Sequence, residues 1–153
     1  MKKVILIPQC LFLLFICFGL SANVQCEEWI RLGSNEMGPF LYDKDSVSKD
    51  EKGMISVTQK NVFSGQTARA MEDALPGLKG VSFTISYDVI DCEKRIYEGK
   101  RILYYDKFGN IIYDTEPNKE KYRPIGFRPI PVDSSIGRVA DIVCQRGKGE
   151  GSN

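Results

Sequence analysis

The stretch VSFTISYDV, residues 81–89, sets Val81, Phe83, Ile85, Tyr87 and Val89 at alternate positions, with Ser82, Thr84, Ser86 and Asp88 between them. A period of two is the pattern of a strand, because successive side chains of a pleated chain point to opposite faces. The apolar set predicts the face turned to the core and the polar set the face turned to water. Ile90-Asp91-Cys92-Glu93 breaks the alternation. Lys94–Tyr105 resumes it, with Ile96, Ile102 and Tyr104 on one side and Tyr97, Leu103 and Tyr105 on the other. The two runs should pair as an antiparallel hairpin.

Towards the C-terminus, Asp106-Lys107-Phe108-Gly109-Asn110 reads as a Gly-bearing turn, and Ile111–Thr115 as a short sixth strand. Pro117–Pro131 carries prolines at 117, 124, 129 and 131. Proline has no amide proton for a sheet ladder, so this segment should cross the surface in extended form rather than enter the sheet. Its Tyr122, Arg123, Phe127 and Arg128 are either an exposed recognition strip or a set of anchors to the core; burial of the aromatics is the favoured reading. Asp133, Ser134 and Ser135 can each cap a helix. Ile136, Val139, Ala140 and Val143 then share one stripe with Cys144, which predicts an amphipathic helix of about 11 residues. The domain spans 27–146, and 147–153 is a Gly-rich, frayed tail.

Towards the N-terminus, Ser64–Gly80 is an excursion between strands. Ala68, Met71 and Leu75 lie at helical spacing within Thr67–Leu75, ahead of a stop at Pro76-Gly77, so a short helix is expected there. Insertions of this kind often carry ligand contacts. Met54–Phe63 reads as a third strand with Ile55, Val57, Gln59 and Asn61 on one face. Pro39–Tyr42 is a second strand closed by a turn at Asp43-Lys44-Asp45-Ser46, and Glu28–Leu32 is the first. The fold class is therefore α+β and mainly β: an antiparallel sheet of about six strands with a C-terminal helix on one face.

Met1-Lys2-Lys3 followed by an apolar run and small residues reads as a secretory signal peptide over residues 1–26. Its unbroken apolar core, Cys10–Phe18, is shorter than the roughly 20 residues a spanning helix needs. Of the five cysteines, Cys10, Cys17, Cys26, Cys92 and Cys144, a cut after Cys26 leaves two, whereas a cut after Ala22 leaves three and a stray thiol. The two survivors are too distant for a Cys-x-x-Cys redox pair. A structural bridge between Cys92 and Cys144, tethering the helix to the sheet, is the natural reading.

The chain has 153 residues, no histidine, and a formal charge of +1 that becomes −1 once Lys2 and Lys3 leave. The missing histidine removes Ser-His-Asp and Cys-His catalysis and imidazole metal sites. The near-neutral charge gives no electrostatic footprint for nucleic acid. Glu27-Glu28, Asp50-Glu51, Glu72-Asp73 and Asp91/Glu93 lack the context of a glycosidase pair or a calcium loop, and are expected to be surface and turn charges. No catalytic, metal or cofactor residue is expected, and the chain is not expected to be an enzyme.

The order of features carries a resemblance: a secretion signal, Glu28-Trp29, Tyr42-Asp43 before Ser46-Val47, Tyr87 then Asp91-Cys92-Glu93-Lys94-Arg95, Tyr104-Tyr105-Asp106 before Gly109, and Ser135-Ile136-Gly137 before Val143-Cys144. In these the chain, from Glu28 to Cys144, resembles the surface-adhesin protein E family of Gram-negative bacteria. The resemblance implies a six-stranded sheet with a C-terminal helix held by a Cys92–Cys144 bond. It also implies a secreted, non-catalytic module that binds host matrix or serum proteins such as vitronectin, laminin and plasminogen. The haem binding it further implies would lack any imidazole ligand here. A periplasmic structural or inhibitor-like role is the alternative for the same fold, and exposed strand edges would allow a homodimer.

Overall fold

The structure, a computed structural model, describes residues 28–116 and 126–149; the signal segment 1–26, Tyr122, Arg123 and residues 150–153 lie outside the described ones. Six strands follow one another in chain order: β1 (Trp29–Asn35), β2 (Gly38–Lys49), β3 (Ile55–Val62), β4 (Val81–Asp91), β5 (Ile96–Asp106) and β6 (Ile111–Asp114). Each is antiparallel to the next, a meander whose β3–β4 link is the long excursion and whose other links are short. Two helices complete the fold, α1 (Gly65–Ala74) and α2 (Ser135–Gly149), with a 3₁₀ turn at Pro76–Leu78 between α1 and β4.

Four expectations about the strands change. A seventh strand, β7 (Arg128–Pro129), pairs with Ile96 and Tyr97 of β5, so the proline-rich segment does join the sheet, as a two-residue edge. Pro129 is tolerated there because an edge strand need not donate from every residue; the neighbouring Ile130 amide donates to the Arg95 carbonyl at 3.0 Å. The turn expected at Asp43–Ser46 is instead an irregularity within β2, whose pairing with β3 shifts between Asp43 and Ser48. The Asp43 carboxylate accepts from the Asp45 amide and the Ser46 hydroxyl donates to the Asp43 carbonyl, the local bonds that such residues make in turns. That hydroxyl also accepts from the Thr58 amide, so the strand is re-anchored instead of reversed.

The larger correction concerns β4. Its buried residues are Val81, Thr84, Asp88 and Ile90, while Phe83, Ile85 and Val89 are only half-buried and Tyr87 is 39% exposed. The polar set faces the helix. The reason is register: Ile55 and Val57 of β3 stand opposite Ile90 and Asp88, and Tyr97 of β5 opposite Ile90, so the apolar cluster that α2 covers is built around Ile90. Polar neighbours in that face are reconciled by bonding among themselves, since a buried polar group is costly only when unpaired. Gln59 Nε2 and Ser86 Oγ both donate to Asp88 Oδ2 at 2.7 Å. The expected grouping of β5 changes too, because its pairing with β4 shifts between Tyr87 and Asp88, opposite Arg101 and Gly99. An extra residue there puts Tyr97 on the same face as Ile102 and Tyr104.

The stripe Ile136, Val139, Ala140 and Val143 of α2 is buried against Tyr42, Ile55, Val57, Ile90 and Tyr97, as its spacing requires. Ser134 is the cap: its Oγ accepts from the Gly137 amide and donates to the Pro131 carbonyl. The helix extends past the expected 11 residues, to Gly149, within the segment read as tail. Cys92 and Cys144 are bonded, with Cα atoms 5.6 Å apart, and tie α2 to the end of β4. Within the excursion, α1 is capped by Ser64 and buries no residue, and Leu75 is 55% exposed rather than part of a packed stripe. The packed residue is Leu78, 2% exposed, in a 3₁₀ turn that rests near Tyr104 and Tyr113.

Candidate binding surface

The face of the sheet away from α2 is assembled from alternate residues of adjacent strands, all on the opposite parity to the core set. Lys60 of β3 stands opposite Ile85 of β4, and Phe83 and Tyr87 stand opposite Tyr105 and Arg101 of β5. None of these side chains belongs to the hydrophobic cluster around α2. The Phe83 and Tyr105 rings are stacked, 4.7 Å between centroids and 5° from parallel. Lys60 Nζ lies 4.3 Å from the Phe83 centroid and 5.5 Å from that of Trp29 on β1, so one ammonium bridges rings on two sides of its strand. Such contacts are worth about 0.5–1 kcal/mol each where solvent reaches them. They explain why a strand can leave its apolar side half-exposed: cross-strand neighbours supply the cover that no core does.

Beside this row, Arg101 donates from Nε and Nη2 to the two carboxylate oxygens of Asp114 at 3.1 and 2.6 Å, and its Nη1 lies 3.3 Å from Glu116. The bidentate bond from Arg101 holds the Asp114 carboxyl below its ordinary range, and Asp114 in turn raises Arg101. The result is an ordered strip of stacked rings, an ammonium and a clamped guanidinium. Aromatic and arginine side chains of this kind form the anchors of protein interfaces.

The remaining candidates separate. Phe127 is 45% exposed with Lys100 Nζ 5.8 Å from its ring, and Arg128 lies over Tyr97 at 4.6 Å; the segment is pinned to the core by Ile130 rather than by these residues. Of the acidic residues, Asp50 accepts from the amides of Lys52 and Met54, Glu72 from Gly80 and Asp91 from Lys94, while Glu28 accepts from Lys44 Nζ at 3.0 Å. The Lys94 amide is the main cause of the lowered Asp91 pKa. Among the described residues no three His, Cys, Asp or Glu side chains gather to hold a metal, and no helix is long and apolar enough to cross a membrane. The aromatic strip was not anticipated as a site. Its signal lay in Cys92, which has the same parity as Thr84, Ser86, Asp88 and Ile90: a cysteine bonded to the helix puts that set under the helix and the Phe83 set outside.

The structure is similar to the crystal structure of protein E from non-typeable Haemophilus influenzae, with a TM-score of 0.53 and 19% identity over 80% of this chain and 78% of that one. At that identity the likeness shows the fold. No curated protein matches the sequence. The family model for surface-adhesin protein E matches residues 29–145, from the first strand through the disulfide-bonded helix. The chain belongs to the surface-adhesin protein E family.

Proposed function

We propose that this chain is an exported, surface-exposed binding module without catalytic activity, which holds a host extracellular-matrix or serum protein on the face of its sheet away from α2. The observation that carries the reading is the row Trp29, Lys60, Phe83 and Tyr105, apolar and cationic groups ordered on the side of the sheet away from the core, in a member of an adhesin family. A hydrophobic face rimmed by charge is the surface a protein partner desolvates most readily. Residues 1–26 act as the export signal in this reading. The β1 strand, which ends the sheet order, is the edge at which a second copy would add in this reading.

Surface exposure is tested on intact cells of the native host. Brief proteinase treatment should remove the chain from whole cells while a periplasmic marker survives. Protection of the chain until the outer membrane is opened would place it inside the envelope and overturn the surface reading.

A further inference from the structure

On the helix-covered face, next to the N-terminal end of α2, the sheet is hollowed by a cavity of about 300 Å³ with Gln59, Ser86, Asp88, Gly99, Tyr97 and Tyr104 among its lining. Asp88 is only 6% exposed. The bonds it accepts from described side chains, those of Gln59 and Ser86, both go to Oδ2. Oδ1 receives none. Since no buried side-chain polar atom among the described residues lacks a partner, Oδ1 is the oxygen that opens into the cavity.

The residue directly across from Asp88 is Gly99. Its φ is negative, so its backbone admits any residue. Glycine inside a strand weakens the sheet and marks a place where another group comes close. A Cβ at Gly99 would lie 3.4 Å from Asp88 Oδ1, and any side chain there would stand over that oxygen. The missing side chain is what keeps the carboxylate open. The cation that acts on Asp88 through space, Arg128, is instead laid over the Tyr97 ring at 4.6 Å and makes no hydrogen bond to the carboxylate. Burial accordingly pushes the Asp88 carboxyl above its ordinary range, with Ser86, Gln59 and Arg128 opposing. An open acceptor in a low-dielectric cavity gains most from a donor that brings its own positive charge.

We infer that this cavity is a binding site for one lysine or arginine side chain of a polypeptide ligand, its ammonium or guanidinium donating to Asp88 Oδ1. The Tyr104 ring in the lining suits the alkyl stem, while the Tyr97 ring is already covered by Arg128, which lines the same cavity. A volume of about 300 Å³ has room for one such side chain. The site lies on the opposite face from the aromatic strip and stands independently of the adhesion reading.

Amide chemical shifts of the full domain, titrated with Nα-acetyl-lysine methylamide, n-butylammonium chloride and the uncharged n-butanol, provide the test. The lysine derivative and the amine should both shift the amides around Asp88 and Gly99, and n-butanol should not. Asp88→Asn keeps an oxygen for Gln59 and Ser86 but turns an NH₂ towards the cavity, and should weaken both cations at least tenfold. Gly99→Ala sets a methyl against Oδ1 without removing the charge, and should weaken them similarly while the melting temperature holds; it carries the test if Asp88→Asn does not fold. Equal binding by wild type and Gly99→Ala, or equal shifts with n-butanol, would overturn the site. A lysine derivative bound tenfold more weakly than n-butylammonium would overturn the polypeptide ligand in favour of a free amine.

Discussion

Gln59 Nε2 on β3 donates to Asp88 Oδ2 on β4 at 2.7 Å, linking two side chains that are 4% and 6% exposed. This bond lets a strand turn its polar side inward. Without it, the same face would hold a carboxylate with a single donor beneath a helix, a arrangement that costs several kcal/mol.

The sign of the Asp88 shift sets a pH dependence. Its folded-state pKa is raised above the ordinary 3.8 by burial, so the folded protein binds more protons than the unfolded chain from that pH upward. The stability that the protonated form provides is present below pH 3.8 and is lost as pH rises through the folded pKa. Asp88→Asn, which cannot ionise, should therefore gain in melting temperature relative to wild type as pH rises from 3.8. A difference independent of pH would mean that the Asp88 pKa is the same in the folded and unfolded chain.

Asp91, Asp106 and Asp114 are shifted the other way, by the Lys94 amide, the Asn110 side chain and Arg101 respectively. Their contribution is present above the ordinary 3.8 and is lost as pH falls through their folded values. Denaturant melts between pH 5 and pH 2 should show stability falling with acid, and Asp114→Asn should flatten part of that fall.

The disulfide closes a loop with a sequence separation of 52, for which chain entropy gives about 4 kcal/mol. Reduction, or Cys144→Ser, should lower the melting temperature on the order of 10 °C while most strand circular dichroism remains. Thiol counting in denaturant should find none in the untreated domain beginning at Glu27.

How much of this was legible in the sequence depends on which residues carried it. Periodicity located the strands, and the Ile136–Val143 stripe located the helix and its buried side. Periodicity could not say which face of β4 the helix covers, because Phe83, Ile85 and Tyr87 are more apolar than the set that packs. The choice rests on β3–β4 register, which the long 64–80 excursion leaves unspecified by any turn. Parity with Cys92 would have decided it. The cavity was hidden for a similar reason: Gly99 and Asp88 become neighbours only through strand pairing.

The excursion divides into a dispensable and a required part. Leu78→Ala should cost about 2–5 kcal/mol, the range for emptying a buried leucine site. Leu75→Ala, at an exposed position, should stay within about 0.5 kcal/mol. Urea melts of the two variants check the contrast.

Gly38 has φ +135°, and a Cβ there would sit 2.0 Å from the Val62 carbonyl oxygen. Gly38→Ala should destabilise the domain by about 2–4 kcal/mol through strain and displacement of β3. A neutral effect would place the β1–β2 turn further from β3.

The binding role of the sheet face away from α2 is tested most directly by interferometry of the domain beginning at Glu27 over immobilised vitronectin and laminin, in wild type and in Lys60→Ala/Phe83→Ala. Saturable binding to at least one of them, weakened tenfold or more in the double variant while its circular dichroism is unchanged, is the predicted result. Absence of binding to both, or equal binding by wild type and the folded double variant, would contradict the assignment of that face as the adhesive surface.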